Sequence, residues 1–229
     1  PSIHHHDMPP DDKENPQCPI GEPACPRLGE LTAYRAEAAE LLQKVHTDSL
    51  TGLYNYRHFQ LMLERELERT RRTGQPTALV MVDLDHFKQI NDRWGHEVGN
   101  RILRHCAGLL VGGLRKIDVA CRYGGEEFAL ILPGTPLPRA VNAADRLRLA
   151  LVGTALQTAD GALTVTASMG VDVYAKDEEG GAAEFVQRTD AQLYQAKEQG
   201  RNRVCHRPFD LTRPRGQVGR EEKEALTKP

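Results

Sequence analysis

The stretch TALVMVDLD, residues 77–85, constrains the fold more than any other part of the chain. Its apolar run is the length of a strand and reads as one buried in a sheet, with helices packed against it. Asp83 lies inside this run, where an unpaired buried carboxylate costs several kcal/mol. A metal ion beside it would remove that cost. Asp85, two residues on, points to the same face at the carboxyl end of the strand. There it reads as a turn former or a helix cap.

CRYGGEEFALIL, residues 121–132, raises the matching question. Two apolar arms around Gly124 and Gly125 predict antiparallel strands joined by a tight turn. Glu126 and Glu127 then sit at its tip. Either they face water, or they hold a divalent cation where α/β folds tend to place ligands, at strand ends.

The remaining chain surrounds these two segments. Residues 1–27 are proline-rich and predicted to be disordered or extended. From 28 to 46, Leu31, Tyr34, Ala38, Leu41 and Val45 recur at spacings of three and four, the seam of a short coiled-coil stalk. A helix packed on its own domain shows the same pattern over so few turns. Helices are predicted at 56–73 (Phe59, Met62, Leu63 and Leu67 inward), 97–110 (Ile102, Leu103, Cys106 and Leu110 inward), 137–151 and 182–197. LTVTASMGVDVY is a strand, NRVCH a short edge strand, and 207–229 a mobile tail. The order contains a split β-α-β unit around a hairpin. It predicts an α+β, ferredoxin-like mixed sheet over residues 47–206.

With 229 residues and a net charge of -2, the chain fits one sizeable domain plus appendages. The near-neutral balance argues against a nucleic-acid partner. No apolar run reaches the roughly 18 residues of a membrane span, and no secretory pattern opens the sequence, so a cytoplasmic location is expected. Five cysteines without a C-x-x-C pair read as free thiols. Cys18 and Cys25 lie near His4, His5 and His6, but their spacing matches no common zinc pattern.

Four ordered motifs now stand together: DSLTGLYN (48–55), DLDHFKQINDRWGH (83–96), RYGGEEF (122–128) and YQAKEQGRN (194–202). Over residues 46–206 the chain resembles the GGDEF family of diguanylate cyclases, with a GGEEF loop. The resemblance implies a nucleotide-cyclase-like fold and a homodimer that condenses two GTP into cyclic di-GMP and two pyrophosphates. It implies two Mg2+ (or Mn2+) ions per active site, on Asp83, the Leu84 carbonyl, Glu126 and Glu127. Glu126 matches the residue that helps deprotonate the attacking hydroxyl. Phe87 and Lys88 match phosphate-binding positions at a helix start, with Lys88 stabilising the transition state. Lys197 and Arg201 match triphosphate contacts, or else a basic helix C-terminus.

Asn91, His96 and Asn100 match the guanine and ribose positions. Asn100 stands where the family generally has aspartate, which is expected to loosen guanine selectivity because an amide offers one acceptor and a donor. Arg115 and Asp118 match an R-x-x-D site at which the product binds and inhibits, or else form a surface ion pair. A catalytically weak cyclic di-GMP receptor is the alternative to an enzyme. No signal-input domain is recognisable, so a regulatory protein gripping residues 1–45 is the expected route of control.

Overall fold

The computed structural model describes residues 26–158 and 161–209. The expectations for residues 1–25, their histidines and cysteines, and 210–229 lie outside them. Strand β1 (Thr77–Leu84) is buried along its whole length. It lies at the centre of a five-stranded sheet with β2 (Val119–Arg122), β3 (Glu127–Leu132), β6 (Ala167–Tyr174) and β7 (Val204–His206), in the order β2-β3-β1-β6-β7. β1 runs antiparallel to both neighbours, and β7 joins β6 in parallel as the expected edge strand. A small antiparallel hairpin, β4 (Leu156–Thr158) and β5 (Gly161–Leu163), was not foreseen.

Alternation along β1 supplies two cores. Val80 and Val82 face the side of α3 (Phe87–Gly112) and α4 (Leu137–Gly153), meeting Ile102, Cys106, Leu110 and Ala144. Leu79 and Met81 face α2 (Tyr56–Thr73) and α5 (Ala182–Glu198), meeting Phe59, Leu63, Leu67, Phe185 and Leu193. The ferredoxin-like architecture is as expected.

α2 matches its predicted span because both ends are signalled. Asn55 accepts a hydrogen bond from the His58 amide, and Gly74 closes the helix in a left-handed conformation at φ 76°. α3 is ten residues longer at its start than periodicity suggested, beginning at Phe87 rather than Glu97. It is two helical pieces meeting at Gly95, whose φ of 81° and ψ of 160° only glycine adopts without strain. The Asn91 side chain lies against Gly99, where a Cβ would come within 1.9 Å of its Oδ1.

Helix α1 (Pro26–His46) precedes the domain. Leu31, Tyr34 and Val45 remain 44%, 68% and 47% exposed, so these seam positions stay outside the domain core. Ala38 and Leu41 lie outside the described side chains.

Candidate active site

The register of the central sheet brings the predicted carboxylates to one place. Asp83, near the carboxyl end of β1, pairs directly with Glu127, the first residue of β3. The Leu84 amide donates to the Glu126 carbonyl at 3.3 Å, drawing the loop alongside the strand end. Leu84 itself is buried, so only its backbone serves this site.

The loop departs from the expected tight turn. Tyr123 to Glu126 form a four-residue connection, and neither Gly124 nor Gly125 has a positive φ. Gly124 is needed for space: a Cβ there would come within 2.9 Å of Glu127 Oε2. The tip is held by Arg122, which donates from Nε and Nη2 to the Gly125 carbonyl (3.1 and 2.8 Å) and pairs through Nη1 with Asp48 at 3.1 Å. Asp48 also accepts from the amide and hydroxyl of Thr51 (2.8 and 2.6 Å). Burial pushes the Asp48 carboxyl up, but Thr51 and Arg122 together outweigh it and hold the group below its usual range. The first motif is thus the strap that fixes the loop.

Asp83 is not left unpaired. Lys197, in the last turn of α5, places Nζ 2.7 Å from Asp83 Oδ2. The counter-charge expected of a metal is here supplied by a residue expected at the triphosphate. Among the described residues, no three histidine, cysteine, aspartate or glutamate side chains converge closely enough to hold an ion. The donors are nevertheless all oxygen, as a hard divalent ion requires. Burial pushes the Glu127 carboxyl up, and the nearby Asp83, Asp190 and Glu126 push it further against the partial relief of Lys197. Carboxylates are gathered here faster than cations.

Asp85 caps no helix. Its carboxylate accepts from Thr166 Oγ1 (2.7 Å), Ser168 Oγ (2.6 Å) and the Asn202 amide (3.0 Å), tying the end of β1 to β6 and to the turn after α5. His86 follows in a left-handed conformation, φ 58°, and turns the chain sharply into α3. Phe87 is buried just beyond it and Lys88 is exposed. Asn91 and Asn100 are half-buried and His96 is exposed beside the Gly95 kink. Arg201 is exposed, in a turn where Gly200, Arg201 and Asn202 all have positive φ.

Arg115 and Asp118 stand at the opposite end of β2 from the loop. They close on each other through Nε to Oδ2 (3.2 Å) and Nη2 to Oδ1 (3.0 Å), and Arg115 also reaches Thr135 Oγ1 at 2.6 Å. Beside the carboxylates, a cleft of about 380 Å³ opens between α2 and α5, lined by Tyr56, Phe59, Leu63, Tyr123, Val186 and Asp190 among others. Burial, with Tyr56 and Asp190 beside it, raises the Tyr123 phenol to about 12. Asp190 and Arg122 escaped the sequence reading. Arg122 was visible inside its motif, whereas Asp190 gave no signal beyond its place seven residues before Lys197.

The family model described as the diguanylate cyclase GGDEF domain matches residues 45–203. The response regulator PleD of Caulobacter vibrioides is 41% identical over 165 residues, covering 71% of this chain and 36% of that protein. The diguanylate cyclase DgcP of Pseudomonas aeruginosa is 38% identical over 175 residues, covering 76% and 26%. The chain therefore spans well under half the length of these curated relatives. Among solved structures, the coiled coil and GGDEF domain of DgcB from Caulobacter crescentus, in complex with c-di-GMP, superposes with a TM-score of 0.73 at 29% identity, covering 78% and 94%. The diguanylate cyclase SiaD of Pseudomonas aeruginosa, in complex with its activator SiaC, gives 0.67 at 36% identity, covering 79% and 72%.

Proposed function

The chain belongs to the GGDEF family of diguanylate cyclases, and we propose that two copies condense two GTP into cyclic di-GMP and two pyrophosphates. The observation that carries this reading is the pairing of Asp83 with Glu127 across β1 and β3, with Glu126 drawn against Leu84. Acidic side chains held together at a strand end are costly unless cations arrive with a ligand. Two Mg2+ (or Mn2+) ions on Asp83, the Leu84 carbonyl, Glu126 and Glu127 would neutralise charge at the α-phosphate and acidify the attacking 3′-hydroxyl.

The protein's own part is mainly positioning, as phosphoryl transfer requires. Glu126 receives the hydroxyl proton. The amides at Phe87 and Lys88, in the first turn of α3 after His86, bind the β- and γ-phosphates at a helix start. Lys88, Lys197 and Arg201 add positive charge along the triphosphate. Asn91, His96 and Asn100 bracket the guanine and ribose, with Asn100 weakening the preference for guanine. The R-x-x-D pair Arg115–Asp118 opens to take the product and restrains turnover.

One domain offers one such site, so each reaction needs two domains face to face, brought together by α1. SiaD is described with an activator, which supports a regulatory protein acting on residues 1–45 here. Incubation with GTP and Mg2+, followed by chromatography, should yield cyclic di-GMP. Specific activity should rise with protein concentration, and Leu31→Glu should move that rise to higher concentration. Flat specific activity down to monomeric protein would sink the two-site mechanism.

A further inference from the structure

Lys197, the residue expected at the triphosphate, is already engaged by Asp83. Its ammonium lies 2.7 Å from Asp83 Oδ2. A divalent ion on Asp83 competes for the same carboxylate and repels the ammonium, so entry of the ion disfavours the Lys197 pairing. The geometry of α5 indicates where it goes. Asp190 lies seven residues before Lys197 in the same helix, two turns away on one face. Helical side chains lean toward the N-terminus, and a lysine stem is long enough to swing back along that face.

Asp190 stands on the wall of the cleft beside Tyr123. Its carboxyl is pushed up by burial and pulled back by the charge of Lys197, so the two already sense each other. Resting on the metal-site reading above, we propose that Lys197 competes with the divalent ion for Asp83, and that Asp190 is the positioning residue that receives Lys197 when the ion enters. The swing carries the ammonium off the metal ligand while keeping it on the same face of α5. Lys197 thereby holds the anionic site together before substrate arrives, and ties metal entry to movement of the residue that meets the triphosphate.

The test is Mn2+ binding to the full chain without nucleotide, read from the electron paramagnetic resonance signal of free Mn2+. Lys197→Met should tighten Mn2+ binding by roughly fivefold, the upper range for a part-exposed ion pair. Lys197→Arg, which keeps the charge, should stay near the parent. Asp190→Asn should weaken binding about twofold, and that effect should vanish in the Lys197→Met background if Asp190 acts through the lysine. Unchanged or absent Mn2+ binding in Lys197→Met overturns the competition. An Asp190→Asn effect that persists without Lys197 overturns the positioning role. Asp83→Asn separates the two levels of argument: it should lose Mn2+, and if it binds like the parent, the metal-site reading itself fails.

Discussion

Two charged clusters sit at opposite ends of the β1–β6 pair, and they are solved differently. At one end Asp172, buried on β6, meets Arg188 Nε at 2.8 Å and Arg207 Nε at 3.1 Å. Glu178 takes the second contacts of both arginines, and Asp172 also accepts from the Val173 amide at 2.8 Å. Two carboxylates face two guanidiniums, whose fixed forks satisfy several lone pairs at once. At the other end Lys197 pairs with Asp83 and its charge also acts on Glu127 and Asp190, while Glu126 stands beside Glu127. The first cluster is balanced within the chain. Among these side chains the second is short of positive charge, which the proposed ions would supply. We read balance as the mark of the end that holds the fold and imbalance as the mark of the proposed site.

The largest effects should separate the two ends cleanly. Glu126→Gln should lower cyclisation by more than roughly a hundredfold, since the proposed base and the proposed metal-directed charge would both be lost. Its melting temperature should stay within a few degrees, because Glu126 is only half-buried. Asp172→Asn should do the reverse. Removing one partner from a buried pair costs about 3–5 kcal/mol, or roughly 10 °C in a domain this size. Turnover per folded molecule should be retained. Thermal melts and assays of both variants decide it: an Asp172→Asn protein that melts normally but does not turn over would break the comparison.

Arg115 and Asp118 sharpen the rule because they are balanced yet proposed to bind a ligand. The difference is exposure: the Arg115 side chain is 55% exposed, whereas Asp118 is 4%. A guanidinium in water can leave its partner at little cost, so a matched pair of this kind can open. Arg115→Ala should weaken cyclic di-GMP binding by about tenfold or more while costing about 1 kcal/mol of stability. Calorimetry with unchanged product affinity would reassign the pair to the balanced, structural class.

Local signals were legible in the sequence, and contacts between distant segments were not. α2 was readable to the residue because Asn55 and Gly74 mark its ends and a four-residue apolar face lies between. Periodicity missed the start of α3 because its first turns carry polar residues and Gly95 reads as a stop; only the resemblance put a helix start at Phe87. The loop glycines suggested a tight turn, whereas Gly124 serves to make room for Glu127 and the tip is held by Arg122. That Asp83 and Glu127 come together was legible from the order of strand and hairpin. That Lys197 sits on Asp83 was not, since the two are far apart in sequence and either pairing leaves the same pattern of residues.

The smallest effect tests the imbalance directly. Glu127 titrates above its ordinary 4.5 in the folded chain, through burial first and then the charges of Asp83, Asp190 and Glu126. The folded state therefore binds this proton more tightly than the unfolded state does. Its contribution to stability is fully present below pH 4.5 and is lost as pH rises through the raised value. Asp48, held below 3.8, behaves oppositely: its contribution is present above that pH and disappears in stronger acid. As pH falls from neutral toward 4.5, then, Glu127 should produce a slope and Asp48 should not. In EDTA, denaturant melts of the parent should show a gain on acidification that Glu127→Gln lacks, while Asp48→Asn keeps it. The difference should be about 0.5 kcal/mol or less, because water screens a half-exposed group. Parallel pH profiles for the parent and Glu127→Gln would mean that the carboxylates at the working end do not strain one another, and the contrast between the two ends would rest on geometry alone.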